Sequence, residues 1–565
     1  MKRKSICVIL SIVMMFSLLV PCFAAGNTCN CGNAPVVSVV GFGHVPLVNG
    51  EGTQVFAPET EAILNAVLPC IPVLVQFLAD DNMDALLDAV IPAAQQIFDP
   101  IKCDENGDSV DSTVKVAHYT EENAESYDYY IREDGQDQLS MAIADEIGGD
   151  HTFIFSYDWR RSPMDVADDL NAFIQSVKAT TGHSKVSIDG QSMGTCMVQA
   201  YLAKYGKGDI QNIAMLSGAF TGLEMVTELF CGNLEVDADG LVDIIVQLIN
   251  GNPDDDLGKL LKYTELFDKV LEKVAPLLQA GEYRDRLYKE LFIPYFGLYA
   301  GMWSFVDASR YDEALNYMFY NSAFDSDGVS PTIASSTFID KINLYHNDVQ
   351  GTMKDRCTEY YNDANRNFFI VSNYNKQIAP VTPASKWNSD QVIETVHTSA
   401  YATVALRGET LGEDYVQAID DGHNHISPDN VIDASTCWLP ECTWFIKNME
   451  HVKFTQYGNG PFYAWLLTSK NQCTIESDCL YPQFLYYNAD ADYLAAYLYQ
   501  YGDVDMDGDI DLIDARLALR HSLERDTLEK VNLQRADCID IDGVISTREV
   551  QSIADTYAYS LTEAE

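Results

Sequence analysis

Lys185-Val186-Ser187-Ile188-Asp189-Gly190-Gln191-Ser192-Met193-Gly194 is a β-branched run that breaks into a serine flanked by glycines. A helical pattern follows, from about Met193 to Tyr205. The order strand, tight turn, helix is what makes Gly190-Gln191-Ser192-Met193-Gly194 more than a chance G-x-S-x-G match. A sharp strand-to-helix turn is crowded, so glycines are needed on both sides of the serine. The turn lifts the serine Oγ clear of the sheet, at the start of the helix. Ser192 is therefore the candidate nucleophile, and the Met193 amide is a candidate oxyanion donor.

Strands and helices alternate on either side of this turn. Upstream lie a strand at Pro35–Val40 that opens into Gly41-Phe42-Gly43-His44, a helical region over 60–100 and a strand at His151–Ser156. Downstream lie strands at Ile210–Leu216 and Phe368–Val371. This rhythm predicts an α/β fold with a mostly parallel sheet. Residues 221–363 are mostly helical and rich in aromatics such as Tyr295, Phe296, Tyr299, Trp303 and Phe305, which reads as an inserted helical cap. The Gly41–His44 loop suits a second oxyanion donor, the Phe42 amide. His44 precedes the serine and reads as loop structure, because this class of fold runs serine, acid, histidine.

A serine hydroxyl needs an imidazole to take its proton and a carboxylate to orient that imidazole. His346 and His397 come early in the chain, and His521 falls in an aspartate-rich terminal segment. Two stretches place an aspartate just before an apolar pair: Asp390-Gln391-Val392-Ile393 and Asp429-Asn430-Val431-Ile432. Asp429 must use His451, since His423 and His425 precede it. The 22-residue step from Asp429 to His451 holds one apolar run, Thr443-Trp444-Phe445-Ile446, expected to be the last strand. The favoured set is Ser192, Asp429 and His451, with Asp390 as the alternative acid.

Tyr157-Asp158-Trp159-Arg160, about thirty residues ahead of the serine turn, resembles the motif of lecithin:cholesterol acyltransferase-like α/β-hydrolases. Residues 35–43 resemble that family's oxyanion strand and loop, and Gly301-Met302-Trp303-Ser304 resembles one of its cap segments. Asp429-Asn430-Val431-Ile432 is similar to its acid loop, with Asn430 where the family has glycine, and His451 matches its terminal histidine. The resemblance covers roughly 35–455. It implies acyl-ester chemistry on lipids, by hydrolysis or by transfer to another alcohol.

The chain changes character near Tyr501. Asp503, Asp505, Asp507, Asp511 and Asp514 fall at positions 1, 3, 5, 9 and 12 of a calcium loop, with Gly508 at position 6 and the Asp509 carbonyl at 7. Asp540, Asp542, Ser546 and Glu549 fit positions 3, 5, 9 and 12 of a second, degenerate copy. One inserted residue puts Cys538 at its position 1, unless Asp537 reaches the ion through a bulge. Two loops, each followed by a helix, resemble a type I dockerin over about 500–560. That resemblance implies structural Ca2+ and binding to a cohesin domain of a scaffold protein, as in a cellulosome. The contacts are expected near Leu512, Ile513, Thr547 and Arg548.

Bulk properties set the remaining expectations. Lys2, Arg3 and Lys4, the apolar run Ile6–Val20 and Ala24 read as a cleaved signal peptide, 1–24, and hence as a secreted protein. The hydrolase domain is then 25–498 and the dockerin-like module 499–565. No later stretch is expected to span a membrane. The net charge of −48 argues against nucleic acid as a partner. Of the 14 cysteines, 12 lie beyond the signal, and Cys437/Cys442 and Cys473/Cys479 are close enough to pair locally. Cys29-Asn30-Cys31 looks like half a metal site, but no histidine or cysteine partner stands at zinc spacing nearby. The functional expectation is an exported serine carboxylester hydrolase or acyltransferase, held to an extracellular complex and acting on a lipid or acylated plant polysaccharide. The alternatives are a catalytically silent scaffold or adhesion component that keeps the fold, and a serine peptidase or amidase.

Overall fold

The structure, a computed structural model, describes residues 29, 31–117, 138–237, 264–453, 455, 457–498, 501–506 and 509–563. The signal-peptide reading lies outside the described residues. A mixed α/β architecture is built on a central eight-stranded sheet. Its strands are β1 (Val36–Val39), β2 (Thr152–Phe155), β3 (Val186–Gln191), β4 (Ile210–Leu216), β5 (Asn367–Tyr374), β6 (Thr443–Lys447), β7 (Phe484–Asn488) and β8 (Tyr493–Ala496). The order across the sheet is β8-β7-β6-β5-β4-β3-β1-β2. Every neighbouring pair is parallel except β7–β8, which is antiparallel. β6 is therefore not the last strand, as the sequence suggested; two more continue the sheet past it.

Parallel strands are covered on both faces, so they are buried along their whole length. All six residues of β3 and all eight of β5 are buried, polar ones included. Helices Pro163–Thr181, Gly194–Tyr205 and Met353–Tyr361 cover one face; Gln138–Ile147 and Gly460–Thr468 cover the other. Ser187 on β3 donates to the Leu467 carbonyl at 2.9 Å, which satisfies a hydroxyl that the second layer seals from water.

Between β4 and β5 the described residues are mostly helical, with Glu224–Phe230, Thr264–Leu278, Tyr311–Phe319, Ser336–Asp348 and Met353–Tyr361 among the helices. A second helical layer comes from elsewhere. Thr60–Val67, Ile71–Asp80 and Met83–Phe98 follow β1, and the last two pack through Leu74, Phe77, Leu86, Leu87 and Ile91 against Val270 and Val274 of the insertion. The helical material beside the sheet thus has two sources. Thr60–Asp80 also corrects the expectation about apolar length. It runs 21 residues and is long and apolar enough to cross a membrane by length and composition alone. Leu68 and Val75 on it are exposed.

The terminal segment is a small helical unit of three helices, Leu512–Ser522, Lys530–Ala536 and Thr547–Glu563. Its core is slight: Val504, Ala515, Ala518, Ala536, Ile545 and Ile553. Alanines bury little apolar area, so such a core contributes little stability of its own. All twelve cysteines from Cys29 onward are free thiols, and neither Cys437 and Cys442 nor Cys473 and Cys479 are joined.

Candidate active site and acidic loops

β3 ends at Gln191, and Ser192 turns the chain into the helix Gly194–Tyr205. Ser192 has φ +54°, the left-handed region that side chains rarely occupy. The turn is held by its neighbours. The Ser192 amide donates to the Leu216 carbonyl at 3.0 Å, and the Ser192 carbonyl accepts from the amides of Thr195 and Ala219. Gly194 is dictated by contact: a Cβ there would lie 2.0 Å from the Val39 carbonyl oxygen. Gly41 is equally constrained, since its Cβ would fall 2.9 Å from that of Ser192. The loop that carries the Phe42 amide therefore lies directly against the serine, and Met193 opens the helix on the other side.

His451 Nε2 is 2.9 Å from Ser192 Oγ, and His451 Nδ1 is 2.6 Å from Asp390 Oδ2. Ser192 and His451 are nearly closed off from solvent, each 8% exposed, and Asp390 is fully buried. The histidine follows β6 and the aspartate lies in the excursion after β5. Two further bonds fix the pair. The His451 amide donates to the Asp390 carbonyl at 2.7 Å. Asp390 Oδ1 accepts the amides of Val392 (3.0 Å) and Ile393 (2.7 Å).

Asp429, the acid favoured from the sequence, is elsewhere. Its carboxylate meets Lys447 Nζ at 3.0 Å and accepts from the Tyr374 hydroxyl at 3.3 Å and the Ser427 hydroxyl at 2.6 Å. The carboxylate at His451 is the alternative, Asp390. The excursion after β5 explains why. Residues 403–404 and 432–433 pair as a short antiparallel ladder, and Asp429 beside it meets the last residues of β5 and β6, Tyr374 and Lys447, instead of His451. The other histidines after Ser192 have different company. His346 stacks on Tyr311, His397 lies against Glu224, and His423 and His425 gather with Asp421 and Glu441.

Sequence reasoning missed a support behind the acid. Glu394, four residues past Asp390, accepts the amides of Glu224 (2.9 Å) and Met225 (3.1 Å). It so ties the acid loop to the first helix of the insertion. Burial pushes the Glu394 carboxyl up to about 7.

Aromatic rings surround the loop that abuts the serine. Phe42 packs on Trp159 at 4.4 Å between centroids and on Phe56 at 5.7 Å; Trp159 meets Tyr299 at 5.2 Å. Arg160 is almost fully buried, paired with Asp158 at 2.6 Å. The Arg160 carbonyl accepts the Gly301 amide at 3.1 Å. The Tyr157–Arg160 stretch and the Gly301–Ser304 stretch, singled out separately in the sequence, are thus in contact.

In the terminal unit, Asp503, Asp505 and Asp514 bring their carboxylates together, as do Asp509, Asp511 and Asp514. Asp507 lies outside the described residues. Asp514 accepts the amides of Val504, Asp505 and Asp511. In the second loop it is Asp537, not Cys538, that gathers with Asp540 and Asp542. Its Oδ2 accepts the Gly543 amide at 2.7 Å. Glu549 repeats the part of Asp514, accepting the Ser546 amide at 2.9 Å.

Asp503 and Asp537 share an electrostatic problem. Asp503 Oδ1 and Asp537 Oδ1 are buried with no hydrogen-bond partner among the described residues. Burial pushes Asp537 up to about 6. A bare carboxylate oxygen buried among other carboxylates is what a hard cation with oxygen ligands would relieve. Leu512, Ile513, Thr547 and Arg548 are exposed where their helices begin.

No protein-family model matches the chain, and no curated protein matches it significantly.

Proposed function

We propose that this chain is an exported serine esterase of the α/β-hydrolase type, related to lecithin:cholesterol acyltransferase-like enzymes, and anchored by a calcium-dependent dockerin. The observation that carries the first part is the relay Ser192–His451–Asp390, at 2.9 and 2.6 Å. His451 takes the Ser192 proton as Oγ attacks an ester carbonyl. Asp390 holds the imidazole and stabilises its cation. The alcohol leaves with that proton, and water or a second alcohol then releases the acyl group. The amides of Phe42 and Met193 serve the oxyanion. The Phe42, Phe56 and Trp159 rings, clustered on the loop that abuts the serine, favour an apolar acyl group.

A fluorophosphonate probe tests this reading. The expected result is one adduct per folded chain, mapped by peptide mass to Ser192. A folded chain that takes no label sinks the proposal.

In the terminal unit, Asp503, Asp505, Asp507, Asp511 and Asp514 would hold one Ca2+, with the Asp509 carbonyl; Asp537, Asp540, Asp542, Ser546 and Glu549 would hold another. Each ion would supply the positive charge that offsets its acidic loop, leaving Leu512, Ile513, Thr547 and Arg548 for a cohesin. Calcium at ~1,000 times its Kd should add about 4 kcal/mol per site to the stability of this unit. Asp503→Asn with Asp537→Asn should abolish the calcium-dependent rise in its melting temperature and leave ester turnover unchanged. A melting temperature insensitive to calcium in the unmutated chain would refute the assignment.

A further inference from the structure

Four side chains that take no part in the relay converge at the opposite end of the sheet. Cys29 and Cys31 lead into β1, His151 stands immediately before β2, and His183 lies in the turn ahead of β3. β2, β1 and β3 are consecutive in the sheet, so their starting ends are side by side. The sheet therefore gathers ligands that the sequence scatters across about 150 residues. Cys29 Sγ is 3.5 Å from His151 Nε2, Cys31 Sγ is 3.6 Å from His151 Nε2 and 3.5 Å from His183 Nε2, and the two Nε2 atoms are 3.2 Å apart.

These separations have the size of the edges of a metal tetrahedron. Zinc binds thiolate at ~2.3 Å and imidazole at ~2.0–2.1 Å, so tetrahedral S···N edges are ~3.5 Å and N···N edges ~3.3 Å. We infer that Cys29, Cys31, His151 and His183 form a Cys2His2 site for a structural zinc ion that ties together the leaders of three neighbouring strands. Two thiolates and two imidazoles in this arrangement select zinc over the hard cations suited to the terminal unit.

Two features support the assignment. His151 Nδ1 is 2.9 Å from Asp150 Oδ1, the outer carboxylate that fixes a ligating imidazole so that Nε2 faces the metal. Four protein ligands fill the tetrahedron and leave no position for substrate. β3 also runs its whole length between His183 and Ser192, ~20 Å at ~3.3 Å per residue. The ion is structural and takes no part in the ester chemistry. On binding, both thiols give up their protons to solvent, so uptake releases up to two protons per zinc.

The test uses the full mature chain, purified under reducing conditions with added zinc and dialysed without chelator. One zinc per chain is expected by elemental analysis. Cobalt(II) exchanged for it should give intense tetrahedral d–d bands and a thiolate charge-transfer band. Cys29→Ser with Cys31→Ser should remove both the zinc and those bands. His423→Ala, in the separate Asp421–His423–His425–Glu441 cluster, should leave both in place. A chain without zinc, zinc retained in the double variant, an octahedral cobalt spectrum, or a Cys29–Cys31 disulfide found after alkylation under these conditions would each overturn the site. The cobalt spectrum of the unmutated chain decides the matter even if the double variant fails to fold.

Discussion

Ser192→Ala should lower ester turnover by on the order of 10^6-fold while the chain stays folded. The size follows from the arrangement. Removing Oγ deletes the attacking atom itself, so His451 and Asp390 have no hydroxyl left to activate. What remains is binding and the oxyanion donors, on the order of 10^3-fold over water. The fold should tolerate the change. Alanine keeps the Cβ, so the φ of +54° is no harder to adopt, and the backbone bonds from Leu216, Thr195 and Ala219 are untouched. Among the described residues, the side-chain hydrogen bond lost is the one at 2.9 Å to His451, at a cost of about 1 kcal/mol. Initial rates on a p-nitrophenyl ester, with a thermal melt beside them, check both halves. Turnover within tenfold of the unmutated chain would mean that the ester chemistry does not pass through this serine.

The parts of this site that the sequence disclosed are those whose geometry is local. The turn at Ser192 is written in five residues, because the strand before it, the helix after it and the crowding at Gly194 all act within a short span. His451 was legible by chain order and by its place just past an apolar strand. The acid was not. Asp390 and Asp429 each precede an apolar pair, and the residues around them carry the same message. What separates them is the excursion between β5 and β6, whose short ladder at 403–404 and 432–433 carries Asp429 to Lys447. That is long-range pairing, which periodicity does not encode. The same limit applies to Cys29 and Cys31. Their partners come from two strands that neighbour β1 in space and lie far from it along the chain. The helical layer from Thr60–Phe98 shows the limit at larger scale: its apolar pattern gave helices, and only its packing on Val270 and Val274 gave their place.

Asp390→Asn should lower kcat/KM by ~10^4-fold, about 5.5 kcal/mol of transition-state stabilisation, and Asp429→Asn should not. The argument rests on which way the new amide must face. Asp390 Oδ1 accepts two backbone amides, from Val392 and Ile393. An asparagine must keep its oxygen there, since turning its NH2 toward two N–H donors would set donor against donor in a buried site. Its NH2 is then forced onto His451 Nδ1. The imidazole answers by carrying its proton on Nε2, the nitrogen that faces Ser192 at 2.9 Å. A protonated Nε2 cannot accept the serine proton, so the base is present, correctly placed and in the wrong tautomer. At Asp429 no such consequence arises. The change weakens a partly buried ion pair with Lys447, which keeps the Tyr497 hydroxyl at 2.9 Å. That costs on the order of 1–3 kcal/mol of stability and no more than a few-fold in turnover. Steady-state kinetics on both variants, with melting temperatures to separate stability from catalysis, discriminate the two carboxylates. Loss of turnover confined to Asp429→Asn would return the acid to the loop that the sequence favoured, and would require the excursion after β5 to take a different path.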